Sequence, residues 1–245
     1  MPYSPPYTKL SQLDRTLASQ GYALLDGQVV LDWLNASPAE LEQLHQAWSR
    51  LPPDPHLRDG GRYRYRRHGS FVVEDDLLRS VAHRAHWQPL QYNALHGGME
   101  RWFDPIEAET LDQALWQSLI LRLAGVASRL RGRQAWFVEA HPFRIDTADG
   151  IGRPTPEGAH RDGVDLVAIM LLERHAIKGG ESRVFDADGP HGLRFTLDAP
   201  ASLMLLDDAR VIHETTPIQP LDPDQTGWRD TLVLTYRSGG FQGPG

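Results

Sequence analysis

Ala159-His160-Arg161-Asp162-Gly163-Val164-Asp165-Leu166-Val167-Ala168-Ile169-Met170-Leu171-Leu172 is the stretch on which the reading of the fold turns. From Val164 to Leu172 it is apolar and β-branched, which predicts a strand. A strand turns every second side chain to one face, so an extended segment would send His160 and Asp162 inward together. A further candidate, His213, lies 53 positions after His160 (213 minus 160), in Val211-Ile212-His213-Glu214-Thr215-Thr216-Pro217-Ile218. Two imidazoles and a carboxylate can hold one catalytic Fe(II) and leave its opposite positions open for other ligands. Zinc uses the same donors, so the residue types alone leave the metal undecided. The chain has 11 histidines, and a structural or surface role is the ordinary one for any of them. His160 and His213 stand apart because each sits at a predicted strand edge beside turn residues, where barrel-mouth sites form.

Working outward, the chain divides into a helical preamble and a run of short strands. Met1 to Tyr7 is proline-rich and reads as a loose arm. Thr8–Gln20 reads as a short helix and Tyr22–Val30 as a strand pair or extended segment. Ser37-Pro38-Ala39-Glu40 is a helix start, with a serine cap, proline in the first turn and a glutamate that reaches back. Leu41, Leu44, Trp48 and Leu51 keep helical spacing until Pro52-Pro53 stops the run. Tyr63–Val73 alternates like a strand, Trp102-Phe103 reads as core, and Glu107–Arg133 reads as one long amphipathic helix backing a sheet. β-type runs follow at Trp136–Ile145, Val164–Leu172, Ser182–Phe185, Leu193–Leu197, Ala201–Leu206, Val211–His213 and Thr231–Tyr236. Many short strands after a helical start predict a mainly β, jelly-roll type barrel backed by helices. The expected organisation is one domain over 1–245, with helices and first strands in 1–133 and the barrel core in 134–240.

Composition narrows the class. At 245 residues the chain can bury a full core, and 40% hydrophobic with 23% charged residues is ordinary globular usage. A net charge of −7 argues against a nucleic-acid surface, although Arg62-Tyr63-Arg64-Tyr65-Arg66-Arg67 interleaves bases with aromatics. That cluster reads better as a solvated strand face, or as a pocket wall contributing Arg66. There are no cysteines, which removes disulfides and thiolate metal sites. With no long apolar stretch and no basic-plus-apolar leader pattern, the expectation is a soluble cytoplasmic protein without membrane or nucleic-acid partners. Lys178-Gly179-Gly180-Glu181-Ser182 lacks the order of a phosphate loop and reads as a tight hairpin turn, with Glu181 and Ser182 as weak ligand candidates.

Taken together, Arg153-Pro154-Thr155-Pro156-Glu157-Gly158 ahead of the His160 segment, Gly179-Gly180-Glu181-Ser182-Arg183-Val184-Phe185-Asp186, His213-Glu214-Thr215-Thr216-Pro217-Ile218 and Gly227-Trp228-Arg229-Asp230-Thr231-Leu232 resemble a known family. It is the Fe(II)/2-oxoglutarate dioxygenase family that includes bacterial isoleucine 4-hydroxylase, whose members hydroxylate free aliphatic amino acids or oxidise methionine sulfur. The resemblance runs from Gln91-Tyr92-Asn93 and Gly97-Gly98-Met99-Glu100-Arg101-Trp102-Phe103 to Tyr236 and is densest after Pro154. It departs at Arg161, where relatives carry a neutral polar residue; on the strand reading that side chain faces away from the metal. The resemblance implies a double-stranded β-helix, with iron on His160, Asp162 and His213.

It also implies 2-oxoglutarate as co-substrate and O2 as oxidant. The distal carboxylate of 2-oxoglutarate calls for a fork-shaped cation. Arg229, 16 residues after His213 (229 minus 213), matches where relatives place it, and Arg237 is the rival. The two lie about 26 Å apart along a strand at roughly 3.3 Å per residue, so one of them reaches the cofactor. For the head group of a free amino acid, Arg144 is the candidate for the carboxylate, and Asp230 or Glu139 for the ammonium. Two alternatives remain at this level. A non-oxidative metalloenzyme on the same barrel would need neither 2-oxoglutarate nor Arg229, and a binding or sensor module would hold both without coupled turnover.

Overall fold

The computed structural model describes residues 3–244. A 3-10 turn at Leu10–Gln12 leads into α1 (Leu13–Gln20), β1 (Tyr22–Leu25), α2 (Gly27–Leu34), α3 (Pro38–His45) and a second 3-10 turn at Gln46–Arg50. Next come β2 (Arg64–Arg66), β3 (Gly69–Glu74), β4 (Leu77–Ser80), α4 (Ala108–Leu111) and α5 (Ala114–Arg131). The rest is strand: β5 (Trp136–Asp146), β6 (Leu166–His175), β7 (Ile177–Gly179), β8 (Ser182–Asp186), β9 (Gly192–Phe195), β10 (Leu203–Asp207), β11 (Val211–Thr215), β12 (Ile218–Pro220) and β13 (Trp228–Arg237).

A large antiparallel sheet runs β1-β10-β6-β13-β5-β3-β4, with β2 also on β5; opposite it stand β11-β8-β9 and the pair β12-β7. This is the double-stranded β-helix expected from the sequence, with a helical N-terminal part. Alternation along the long strands divides two cores. Val138 and Ala140 of β5, Ala168 and Met170 of β6, and Leu232 and Leu234 of β13 pack outward with Leu119 and Leu123 of α5. Their odd-numbered neighbours Val167, Ile169 and Leu171 pack inside the barrel with Val184, Phe195 and Met204. Tyr236 ties the layers together by donating its hydroxyl to the Ile120 carbonyl at 3.0 Å.

Several local expectations need correction. Val29 and Val30 belong to α2, not to an extended segment, because Asp26 caps that helix by accepting from Gln28 N at 2.9 Å. The helix expected over Glu107–Arg133 is two, parted by extended backbone at Gln113; Asp112 then sits just ahead of α5, where the helix dipole favours an acid. The Tyr63–Val73 strand breaks after Arg66, since Arg67 donates to the carbonyl of Pro142 and proline has no N–H to return. Gly179-Gly180 makes no hairpin: β7 pairs with β12 and β8 with β9 and β11, so the glycines, both at positive φ, carry the chain between sheets. Trp102 is half exposed while Phe103 is buried.

The expected N-terminal arm is docked from Tyr3 onward, with Thr196 N donating to the Tyr3 carbonyl and Thr8 N to the Leu24 carbonyl. Met1 and Pro2, which belonged to that expectation, lie outside the described residues. The helix start at Ser37 forms as expected, with a reciprocal Ser37–Glu40 capping box. Residue 133 does not divide the sheet, because β1 pairs with β10, and β2 and β3 pair with β5.

Candidate active site

The two histidines meet through the backbone. His160 and His213 exchange both N–H···O=C bonds, at 3.0 and 2.9 Å, as an isolated antiparallel bridge. Residues directly opposite in such a bridge point to the same side, and the rings lie 4.7 Å apart between centroids. Asp162 stands across from both, Oδ1 3.8 Å from His160 Nε2 and Oδ2 3.8 Å from His213 Nε2.

Asp162 arrives there by a route the sequence did not suggest. The segment is not a strand; β6 begins only at Leu166. Instead the carboxylate of Asp208 accepts from the backbone N–H groups of Asp162, Gly163 and Val164 at 2.9, 2.7 and 3.1 Å. Gly163, at φ +76°, allows the tight turn, and an added Cβ there would meet the Tyr92 ring at 2.3 Å.

The donor set fits a metal ion. One donor atom from each of the three side chains falls within 4.8 Å of the others. Ligands about 2.1 Å from an ion and at right angles lie roughly 3 Å apart, so closure asks for shifts of under about 1 Å. His160 Nδ1 lies 3.0 Å from the Gly158 carbonyl, which selects the Nδ1–H tautomer and leaves Nε2 as donor. Burial pushes His213 down to about 3, which keeps it neutral and competent to ligate.

Behind Asp162 stands a polar chain that the sequence gave no reason to single out. Gln88 Nε2 donates to Asp162 Oδ1 at 3.1 Å, while Gln88 Oε1 accepts from Arg101 Nη2 at 2.8 Å and Asn93 Nδ2 at 3.1 Å. From the C-terminal segment, Gln242 Nε2 donates to the carbonyls of Asp162 and Gly163 at 3.0 and 2.9 Å. The glycine-rich tail after Ser238 thus folds back over the site. Nothing local marks these glutamines; they become visible only when three remote segments converge.

The cavity in front of the triad is walled by the odd-numbered face of β5 (Glu139, His141, Phe143, Ile145) and by Arg229, Thr231, Val233 and Thr235 of β13. Arg229 is buried, has no carboxylate within 4.0 Å among the described residues, and leaves its Nε without a partner. Burial, with Arg174 nearby, pushes it down to about 9; a bound anion would reverse that. Arg237 does not line the cavity and donates to the Gly240 carbonyl.

The head-group expectation for Arg144 and Asp230 is corrected. Both occupy even-numbered positions and face away from the cavity, where Arg144 clamps Asp230 at 2.8 and 2.6 Å and His45 Nε2 lies 2.7 Å from the same carboxylate. Glu139 does face the cavity, but Oε1 already accepts from Arg84 at 3.0 Å and pairs with His68 Nε2 at 3.1 Å. Burial works against its charge, but the neighbouring His86 and His68 hold the carboxyl well below the usual range. Arg64 and Arg66 both line the cavity, so this part of the basic cluster is a pocket wall, while Arg62 is exposed and Arg67 pairs with Glu107. Glu181 and Ser182 do not line it.

Residues 45–235 match the family model described as 2OG-Fe dioxygenase. Among solved structures, the chain is similar to a bsmA homolog from Methylobium petroleophilum PM1, at 50% identity and TM-score 0.93, covering 99% of this chain and 98% of that one. It shares its fold with IDO from Bacillus thuringiensis (16% identity, 97% and 99% of the two chains, TM-score 0.77). The same holds for the Fe(II)/α-ketoglutarate-dependent dioxygenase TqaL (19% identity, 95% and 90%, TM-score 0.68). No curated protein sequence matches the chain.

Proposed function

The chain belongs to the 2OG-Fe dioxygenase family, and from that premise we propose that it hydroxylates a small polar substrate, a free aliphatic L-amino acid. It is a 2-oxoglutarate-dependent dioxygenase, and the family uses Fe(II) and 2-oxoglutarate. The non-oxidative metalloenzyme and the binding module are thereby set aside. In our reading His160, Asp162 and His213 hold the iron, and Arg229 holds the distal carboxylate of 2-oxoglutarate. The observation that carries it is a cavity with a convergent three-donor set at one wall and, at another, a buried guanidinium with no carboxylate within 4.0 Å among the described residues.

When bound, the iron and 2-oxoglutarate supply the oxidising power, with succinate and CO2 released as oxygen enters the substrate. The protein's own part is placement. Gly158 fixes the His160 tautomer, and Gln88 and Gln242 hold Asp162 in register. Arg229 offers two parallel N–H donors that match a carboxylate fork. Phe143, Ile145, Ile169 and Val233 give the cavity apolar wall that excludes water and accepts an aliphatic side chain. No helix among the described residues is long and apolar enough to cross a membrane. The cytoplasm, where free amino acids and 2-oxoglutarate occur together, is the compartment this reading implies.

The test is succinate release from protein loaded anaerobically with Fe(II) and 2-oxoglutarate, screened over free L-amino acids after O2 is admitted. Stimulation by leucine, isoleucine or methionine is the expected result. Stimulation only by peptides or nucleotides would sink the amino-acid reading and leave the iron chemistry standing.

A further inference from the structure

The cavity carries more charge than iron and 2-oxoglutarate account for. Arg64 is neutralised by Asp54 at 2.7 Å, and Arg229 is assigned to the cofactor. Arg66 and Arg101 remain, both buried cavity residues with no carboxylate within 4.0 Å among the described residues and each with Nε unpartnered. Arg66 is held rigidly: its guanidinium lies 3.8 Å from the Phe103 ring centre and 4.4 Å from that of Phe143, and Nη2 donates to His141 Nδ1 at 2.7 Å. It is also separate from Arg229. Their strands, β2 and β13, flank β5 on opposite sides, about two strand spacings or roughly 10 Å apart.

Opposite in sign stands Glu157. It lines the same cavity, its Oε2 is buried without a hydrogen-bond partner, and the cationic group near it is His160, whose Nε2 lies 3.7 Å from Oε1. No arginine or lysine lies within 4.0 Å of the Glu157 carboxylate among the described residues. Burial and the neighbouring Arg64 push Arg101 down to about 10, against the opposing pull of Asp54, Glu157 and Glu139. A cavity with a fixed guanidinium pair and a lone carboxylate, beyond those used by the cofactor, is complementary to a zwitterion.

We propose that Arg66 and Arg101 bind the α-carboxylate of the substrate and that Glu157 binds its α-ammonium. This assignment rests on the amino-acid reading above and replaces the Arg144 and Asp230 pair as the head-group site. A dicarboxylate or phosphate ester would satisfy the two arginines but would meet Glu157 with like charge; a simple amine would leave both arginines unpaired.

The experiment uses the full chain with Fe(II) and 2-oxoglutarate. Its probes are L-leucine, L-isoleucine and L-methionine, the N-acetyl and amide forms of each, 4-methylpentanoate, 3-methylbutylamine and L-glutamate. Glu157→Gln is expected to raise KM for the stimulating amino acid about tenfold to a hundredfold. It should leave the 2-oxoglutarate constant within twofold and remove the preference for leucine over 4-methylpentanoate. Arg66→Gln should raise the amino-acid KM similarly and remove the preference over the amide, with Arg66→Lys restoring part of it. If Arg66→Gln melts before assay, Arg66→Lys, which keeps the charge but not the fork, carries the same test. An amino acid that stimulates wild type while its KM is unchanged in the Glu157 and arginine variants overturns this assignment but not the amino-acid reading. A rise in the 2-oxoglutarate constant on Glu157→Gln without change in the amino-acid KM overturns it too, by placing Glu157 with the cofactor. Stimulation by 4-methylpentanoate or 3-methylbutylamine alone, or by no probe, overturns the assignment and the amino-acid reading together, whereas stimulation by L-glutamate alone overturns only the aliphatic side chain, and the same variants then test the head-group assignment with glutamate.

Discussion

Arg229 and Asp230 are neighbours on β13, yet they live in opposite electrostatic worlds. Asp230 points outward beneath α3, where Arg144 clamps it through two hydrogen bonds and His45 Nε2 lies 2.7 Å from it. Arg229 points inward with no carboxylate beside it. A polar group already satisfied in the free protein gives a ligand little reason to bind, because its desolvation cost has been met by a permanent partner. A buried charge left unpaired is costly, and the ligand that removes the cost gains that energy as affinity. The two faces differ in what is already paired: the outer cluster ties the sheet to the helix layer, and the inner guanidinium is the one a bound anion would pair.

The comparison breaks first at the metal. His160→Ala or His213→Ala should abolish Fe(II) binding and succinate formation while circular dichroism stays native. Retained iron affinity and turnover in both variants would remove the triad from the inner site. Next, Arg229→Ala should raise the apparent 2-oxoglutarate constant about tenfold to a hundredfold, from a charge-assisted contact of roughly 1.5–3 kcal/mol at about 1.4 kcal/mol per decade. Arg237→Ala should change it less than twofold; the reverse ranking in a 2-oxoglutarate titration would move the cofactor to the other end of the strand. Gln88→Leu should weaken Fe(II) binding about tenfold in a chelator competition, as loss of a group that orients a ligand does. Unchanged affinity would mean that Gln242 and Asp208 suffice to hold Asp162.

On the outer face the same logic predicts the opposite phenotype. Asp230→Ala strands Arg144 and should cost about 3 kcal/mol in urea unfolding, while the 2-oxoglutarate constant stays within twofold. A kinetic defect without a stability defect would place the pair in function after all.

The last comparison is by pH. Burial pushes His86 down to about 3 and His96 to about 4. The unfolded chain takes up those protons near 6.5, so between pH 6.5 and 4 it binds more protons than the folded chain, and stability rises with pH across that window. The urea midpoint should fall as pH is lowered through it, by at most about 1.4 kcal/mol per unit for each histidine. A flat midpoint would show that these rings are solvated.

Legibility in the sequence followed the range of the interaction. The Ser37–Glu40 capping box was readable because both partners lie within one helical turn. The long strand β6 was readable because it is a nearly continuous apolar, β-branched run, as a strand buried on both faces is. The two arginines of β13 were separated by length along one strand, which a sequence also contains. Arg144 and Asp230 have types that suit a head group, but strand alternation sets Asp230 opposite to Arg229, and on that face Arg144 and His45 already pair with it. The segment Tyr22–Val30 is not extended throughout because Asp26 caps a helix that starts at Gly27.

By itself, then, the sequence determined the β-rich barrel with its helical start, the donor types and order of the triad, and the strand that carries Arg229. Those follow from periodicity, turn residues and spacing, all of which act between near neighbours. Only the tertiary structure decided that Asp162 is set by a turn around Asp208 and that Gln88 and Gln242 stand behind it. It alone decided that Arg66, Arg101 and Glu157, not Arg144 and Asp230, face the cavity with charges unpaired. Each of these depends on segments far apart in the chain being brought within hydrogen-bond distance, and whether a charge is paired is a property of that convergence.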